Sequence, residues 1–142
     1  MLVRCLYASR AAGPIVAATI DSILGQSRSH NSATGITGIL CFSGDTFIQV
    51  LEGGRDEVSE LYNSIVRDDR HTNVRLLAFE EIGVRKFNSW TMGQVDLTTV
   101  NPGMLLRYQE RAVLNPFTCS GRATMALLDE LVATASIDNR SI

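Results

Sequence analysis

Two apolar runs, Ile36 to Phe42 and Thr46 to Glu52, are separated by only Ser43-Gly44-Asp45. Both runs are rich in β-branched and apolar residues, and a short Gly-containing turn between them specifies a β-hairpin. Gly53 and Gly54 close the second run. Within it, Phe47, Gln49 and Leu51 share one face by the period of two. A glutamine therefore stands where an apolar residue belongs. A buried side-chain amide must satisfy two donors and an acceptor, or cost about 1–3 kcal/mol. Gln49 is expected to face something polar inside the core; the plainer alternative is an edge-strand residue facing water. The first strand, Leu2 to Ala8, repeats the pattern. Tyr7 shares a face with Val3 and Cys5, and its hydroxyl needs a partner if it is more than ordinary core.

The rest of the chain can be built around the hairpin. Gly13-Pro14 opens a helix whose apolar face carries Val16, Ile20, Ile23 and Leu24. The polar stretch from Gly25 to Thr34 breaks that spacing. Arg55 to Val66 is a second helix, with Val58, Leu61, Tyr62, Ile65 and Val66 as its buried stripe. Asn73 to Ile82 and Ser89 to Val95 are further strands. Asn101-Pro102 caps a helix running to about Leu114, and Asn115-Pro116 ends it. A last helix follows Ser120-Gly121, with Leu127, Leu128, Leu131 and Val132 on one side, and Ser136 to Ile142 is expected to fray. The order gives an α+β, ferredoxin-like βαββαββ sandwich with additional C-terminal helices. The expected division is a domain over residues 1–96 and a helical extension over 97–142. The extension packs on the sheet, on a partner, or on a second copy of the chain as a homodimer; the need to cover a bare sheet face favours folding back.

Composition excludes several classes. A hydrophobic content of 45% over 142 residues is enough for a real core. The net charge of −2, with its thirteen Lys and Arg scattered, gives no footprint for nucleic acid or an anionic membrane. No run approaches the roughly 18 apolar residues of a membrane span, and the early Arg4 rules out a signal-peptide core, so a cytoplasmic protein is expected. Three distant cysteines form no CxxC pair, so neither a zinc site nor a disulfide framework is expected.

The candidate chemistry lies at Tyr7, at His30-Asn31 before Gly35-Ile36-Thr37-Gly38, at Gln49, and at Asp68-Asp69-Arg70-His71. It continues through Arg85-Lys86-Phe87-Asn88-Ser89-Trp90-Thr91-Met92. Taken singly, Asn31 reads as a loop or cap residue, the Asp68 cluster as a solvated helix end, and Trp90 and Met92 as core. As an ordered set from about residue 2 to 94, they resemble the BLUF domain, the family of blue-light sensors using FAD. The chain is similar to a short, stand-alone member, with residues 95–142 outside the resemblance.

The resemblance implies FAD as cofactor, its isoalloxazine ring lying on the sheet between the two helices. Ile23 would then pack on the ring, and Asn31 would hold its polar edge. Gln49 would bridge the flavin and Tyr7, while Asp68, Arg70 and His71 would lie near the polar side of the ring or the ribityl chain. Ser64 departs from the family pattern, in which a basic residue often faces the flavin. The implied mechanism begins with electron and proton transfer from Tyr7. It leaves the Gln49 amide flipped or tautomerised, donating a new hydrogen bond to the flavin. Trp90 or Met92 would carry the change to the C-terminal helices and then to an unidentified downstream protein. A small hydrolytic enzyme or a flavin oxidoreductase on the same fold is the alternative. Against it stand the lack of a Gly-rich phosphate loop, a nucleophile elbow, a Rossmann fingerprint and a base paired with a Ser or Cys.

Overall fold

The computed structural model describes residues 1–134; the expected fraying of 136–142 lies outside them. The chain runs β1 (Leu2–Ala11), α1 (Ala17–Thr34), β2 (Thr37–Ser43), β3 (Thr46–Gly54), α2 (Arg55–Val66), β4 (His71–Ile82) and β5 (Gly93–Asp96). A 3-10 turn (Leu97–Thr99), α3 (Pro102–Leu106) and α4 (Gly121–Ala133) follow. The five strands form one sheet in the order β4-β1-β3-β2-β5, with β2 and β5 parallel and the other neighbours antiparallel. This is the expected ferredoxin-like α+β arrangement, with the hairpin β2–β3 turning at Gly44, whose φ is 59°.

Alternation along the strands builds a core on each face of the sheet. On one face Val3, Cys5, Tyr7, Leu40, Phe47 and Leu51 meet Ile20, Ile23 and Leu24 of α1 and Val58 of α2. On the other, Leu6, Ala8, Ile39, Ile48 and Val50 meet Leu105, Leu127, Leu128 and Leu131. The C-terminal segment thus folds back over the sheet. Ser120 caps α4 through the Ala123 N–H at 3.0 Å. Gly121 allows close approach at this point, because a Cβ there would lie 2.6 Å from the Leu77 carbonyl oxygen.

Four sequence expectations are corrected. α1 does not break at Gly25 but runs to Thr34, where Gly35 (φ 74°) ends it with its N–H on the Asn31 carbonyl. Gly25 is exposed, so it costs helix propensity and nothing in packing. Val16 is not on the buried face; it is the residue before the helix and is exposed, as is Val66 at the end of α2. The strand expected over 89–95 is regular only from Gly93, since the chain bends at Thr91 and Met92. α3 stops at Leu106 instead of Leu114. Beyond it Arg107 and Tyr108 turn to Glu130 of α4, at 2.5 and 2.6 Å.

One buried ion pair ties the layers together. Arg4 and Glu52 sit opposite each other on β1 and β3, with Nε 2.7 Å from Oε2. Glu52 also accepts the Lys86 and Phe87 N–H groups, the latter at 2.7 Å. The carboxylate is thereby satisfied, and the loop leading to Trp90 and Met92 is pinned to the sheet. No helix among the described residues is long and apolar enough to cross a membrane.

Candidate functional site

Antiparallel pairing sets Tyr7 directly opposite Gln49, on the face covered by α1 and α2. The Tyr7 hydroxyl donates to Oε1 of Gln49. The Gln49 amide nitrogen donates to Sδ of Met92 at 3.3 Å. A thioether sulfur accepts and cannot donate, so this contact fixes which end of the amide faces which neighbour. Burial first, with Cys5 and Tyr62 adding, pushes the Tyr7 phenol well above the ordinary tyrosine value. Tyr7 is therefore a neutral donor at every physiological pH.

A cleft of about 200 Å³ opens above this pair, between α1 and α2. Ile23, Ser27 and His30 line it from α1, Leu61, Ser64 and Ile65 from α2, and Asp68, Arg70 and His71 from the loop and the start of β4. Arg70 forks onto Asp68, with Nη2 2.6 Å from Oδ2, and reaches Gln26 of α1 at 2.8 Å, bridging the mouth of the cleft. The Arg70 hydrogen bond holds the Asp68 carboxyl below the usual carboxylate range. His71 is buried, with Nδ1 2.9 Å from the Ser9 hydroxyl and its ring tilted against Phe47 and edge-on to Tyr7. Burial lowers its pKa, so it is neutral.

Asn31 lies one turn beyond Ser27 and lines the neighbouring hollow with Thr37, Arg85 and Thr91. Its amide nitrogen donates to the Thr91 carbonyl at 2.9 Å. Its Oδ1 is buried and has no hydrogen-bond partner among the described residues. Arg28 donates to the adjacent Met92 carbonyl at 3.3 Å, and its Nε is likewise buried and unpartnered among the described residues. An orphaned acceptor and an orphaned donor three residues apart on α1 fit a planar ligand edge that carries both an N–H and a carbonyl, as a flavin does.

The structure thus gathers Tyr7, Ile23, Gln49, Asp68, Arg70 and His71 around one cleft, with Met92 on the Gln49 amide and Asn31 in the neighbouring hollow. Trp90 stands apart: it packs on the opposite face with Phe87, ring centroids 6.5 Å apart, under the C-terminal helices. Of the two candidate relay residues, only Met92 touches Gln49. Residues 90 and 92 would share a face in a regular strand, but the bend at Thr91–Met92 sends them to opposite sides. Sequence reasoning missed Ser9, Gln26, Ser27 and Arg28. A signal existed: Ile23, Ser27 and Asn31 recur every fourth residue, a face visible only if the helix passes through Gly25.

Comparison with known proteins gives the same reading. Residues 2–93 match the family described as BLUF, sensors of blue-light using FAD. The chain is 31% identical over 97 residues to the blue light- and temperature-regulated antirepressor BluF of Escherichia coli (strain K12). The match covers 68% of this chain but only 24% of that protein's length. Among solved structures, the photo-activated state of BlsA superposes with a TM-score of 0.81 at 28% identity, covering 100% of this chain and 99% of BlsA. The dark state of BlrB, a BLUF protein, superposes with a TM-score of 0.77 at 33% identity, covering 94% of this chain and 96% of BlrB. The chain belongs to the BLUF family of flavin-binding blue-light sensors.

Proposed function

We propose that the chain is a blue-light photoreceptor that binds FAD between α1 and α2, with its signal read by a separate partner protein. One observation carries the reading. A buried glutamine amide at the floor of a cleft is held at its oxygen by a tyrosine and at its nitrogen by a methionine. Ile23 would pack on the ring, Asn31 and Arg28 would take its polar edge, and Asp68, Arg70 and His71 would stand toward its polar side or ribityl chain.

When bound, a flavin supplies a photoexcited state that takes up one electron. Tyr7 gives that electron, and its phenol becomes strongly acidic on oxidation. The proton passes to Oε1 of Gln49, which already accepts the Tyr7 hydrogen bond. When charge returns, the amide is left rotated or as its tautomer. A rotated amide sets its oxygen against the Met92 sulfur, acceptor to acceptor, and the contact is lost. Met92 adapts easily, and its backbone is held by Arg28. The same segment crosses to Trp90 and the C-terminal helices, so release at Met92 is felt on both faces of the sheet. The name of the Escherichia coli relative, an antirepressor, supports readout by contact with another protein. The cytoplasmic location expected from the sequence belongs to this proposal.

The test is the absorption spectrum of the FAD-loaded protein in the dark and just after blue illumination. A small red shift that recovers thermally is expected, and Gln49→Leu should abolish it while FAD stays bound. Retention of the shift in that variant would sink the hydrogen-bond account, and bleaching without a shift in the wild type would point to redox enzymology.

A further inference from the structure

Tyr7 has a second oxidisable ring against it. Tyr62, on α2, lies with its ring centroid 5.7 Å from that of Tyr7 at an interplanar angle of 64°, an edge contact between the two phenols. Tyr7 is fully buried, whereas Tyr62 is only half-buried. The chain has three tyrosines and one tryptophan in all. Trp90 and Tyr108 belong to the core on the other side of the sheet, so Tyr62 is the readily oxidised ring in contact with Tyr7. Burial, with Cys5 adding, raises the Tyr62 pKa as well, so both phenols are protonated until oxidised.

We infer that Tyr62 is a second electron donor, through which oxidised Tyr7 is refilled from the protein surface. This rests on Tyr7 being the first donor to the photoexcited flavin, which is the oxidant. Tyr7 loses one electron to the flavin and its proton to Gln49. Tyr62 then gives one electron to Tyr7 and its own phenol proton to water, and Tyr7 recovers its proton from Gln49. The net change is one electron from Tyr62 to the flavin and one proton from Tyr62 to solvent, with Tyr7 and Gln49 restored. The route competes with the amide rearrangement. A thiol in solution restores Tyr62 by giving its phenoxyl one hydrogen atom, two thiyl radicals then pairing as a disulfide, so that each passage would leave one electron on the flavin and the visible absorption would bleach.

The experiment uses the full chain loaded with FAD, under continuous blue light with a thiol reductant. Bleaching is followed optically, and samples frozen under illumination are examined by electron paramagnetic resonance. Wild type should bleach and show a phenoxyl radical. Tyr62→Phe, which keeps the ring and loses only the hydroxyl, should lose that radical and most of the bleaching while keeping the reversible red shift. Tyr62→Trp should restore bleaching, with an indole radical in place of the phenoxyl one. Bleaching at the wild-type rate with an unchanged radical in Tyr62→Phe overturns the inference. Tyr7→Phe separates the two readings. A red shift that survives in Tyr7→Phe removes Tyr7 from the donor role, whereas its loss there, with Tyr62→Phe unaltered, leaves the photoreceptor reading standing and removes Tyr62 alone.

Discussion

Tyr7, Gln49 and Met92 divide their labour by elementary hydrogen-bond chemistry: one donates, one does both, one only accepts. The neighbouring His71 belongs to the same design in a different way. Burial depresses its pKa, so the folded site refuses a proton that the unfolded chain accepts below about pH 6.5. Its contribution to stability is whole above that value and is lost as the pH falls through 6.5 toward the depressed folded value. His71→Phe keeps ring contact with Phe47 and Tyr7. Urea titrations on either side of about pH 6.5 should therefore show a steeper loss on acidification in the wild type than in the variant. Equal slopes would mean that His71 is not buried neutral. Asp68, held down by Arg70, acts only in more acid solution: its stabilisation is present above about pH 3.9 and is lost as the pH falls through its lowered value. The two windows are thus separable.

Among the elements, the segment between β4 and β5 carries the most consequence for its length. It has little regular structure, yet Glu52 pins its start, Lys86 reaches Asp129 of α4 at 3.0 Å, and Asn31 and Arg28 hold its end. Glu52→Gln removes the charge opposite Arg4 but keeps the shape, leaving the buried guanidinium with the exposed Glu80 as its charged partner among the described residues. A loss of about 3 kcal/mol in chemical denaturation is expected, as for other broken buried pairs. A loss under about 1 kcal/mol would show that Glu80 and water compensate. The bounds of α2 were legible because its apolar stripe is strong and a Gly pair precedes it. The second half of α1 was not, because its inward face is polar: Ser27 lines the cleft, Arg28 and Asn31 bond the Met92 and Thr91 carbonyls, and binary patterning reads a polar inward face as loop.

At the scale of the molecule, one sheet separates two cores, and the C-terminal helices are the lid of the second. Leu127 and Leu128 are fully buried against strands whose opposite faces carry Tyr7 and Gln49. Removing residues 120–142 should bare Leu6, Ile48 and Val50 and shift the protein to larger species in a solution mass measurement. A truncated chain that stays at the mass of its intact counterpart would show that α4 is dispensable as a cover.

Local signals in the chain set the order of elements, the hairpin and the second helix and singled out Tyr7 and Gln49, because alternation, turn residues and misplaced polar groups are read over a few residues; Asp68, Arg70 and His71 stood out as a site only through the family resemblance. Tertiary structure alone decided that Met92 and not Trp90 meets Gln49, because a bend in an irregular segment overrides the period of two. It also decided that Arg28 and Asn31 grip neighbouring carbonyls, and that α3 stops short so that Arg107 and Tyr108 can reach Glu130. Each of these depends on a contact with a residue far along the chain, which no local pattern encodes.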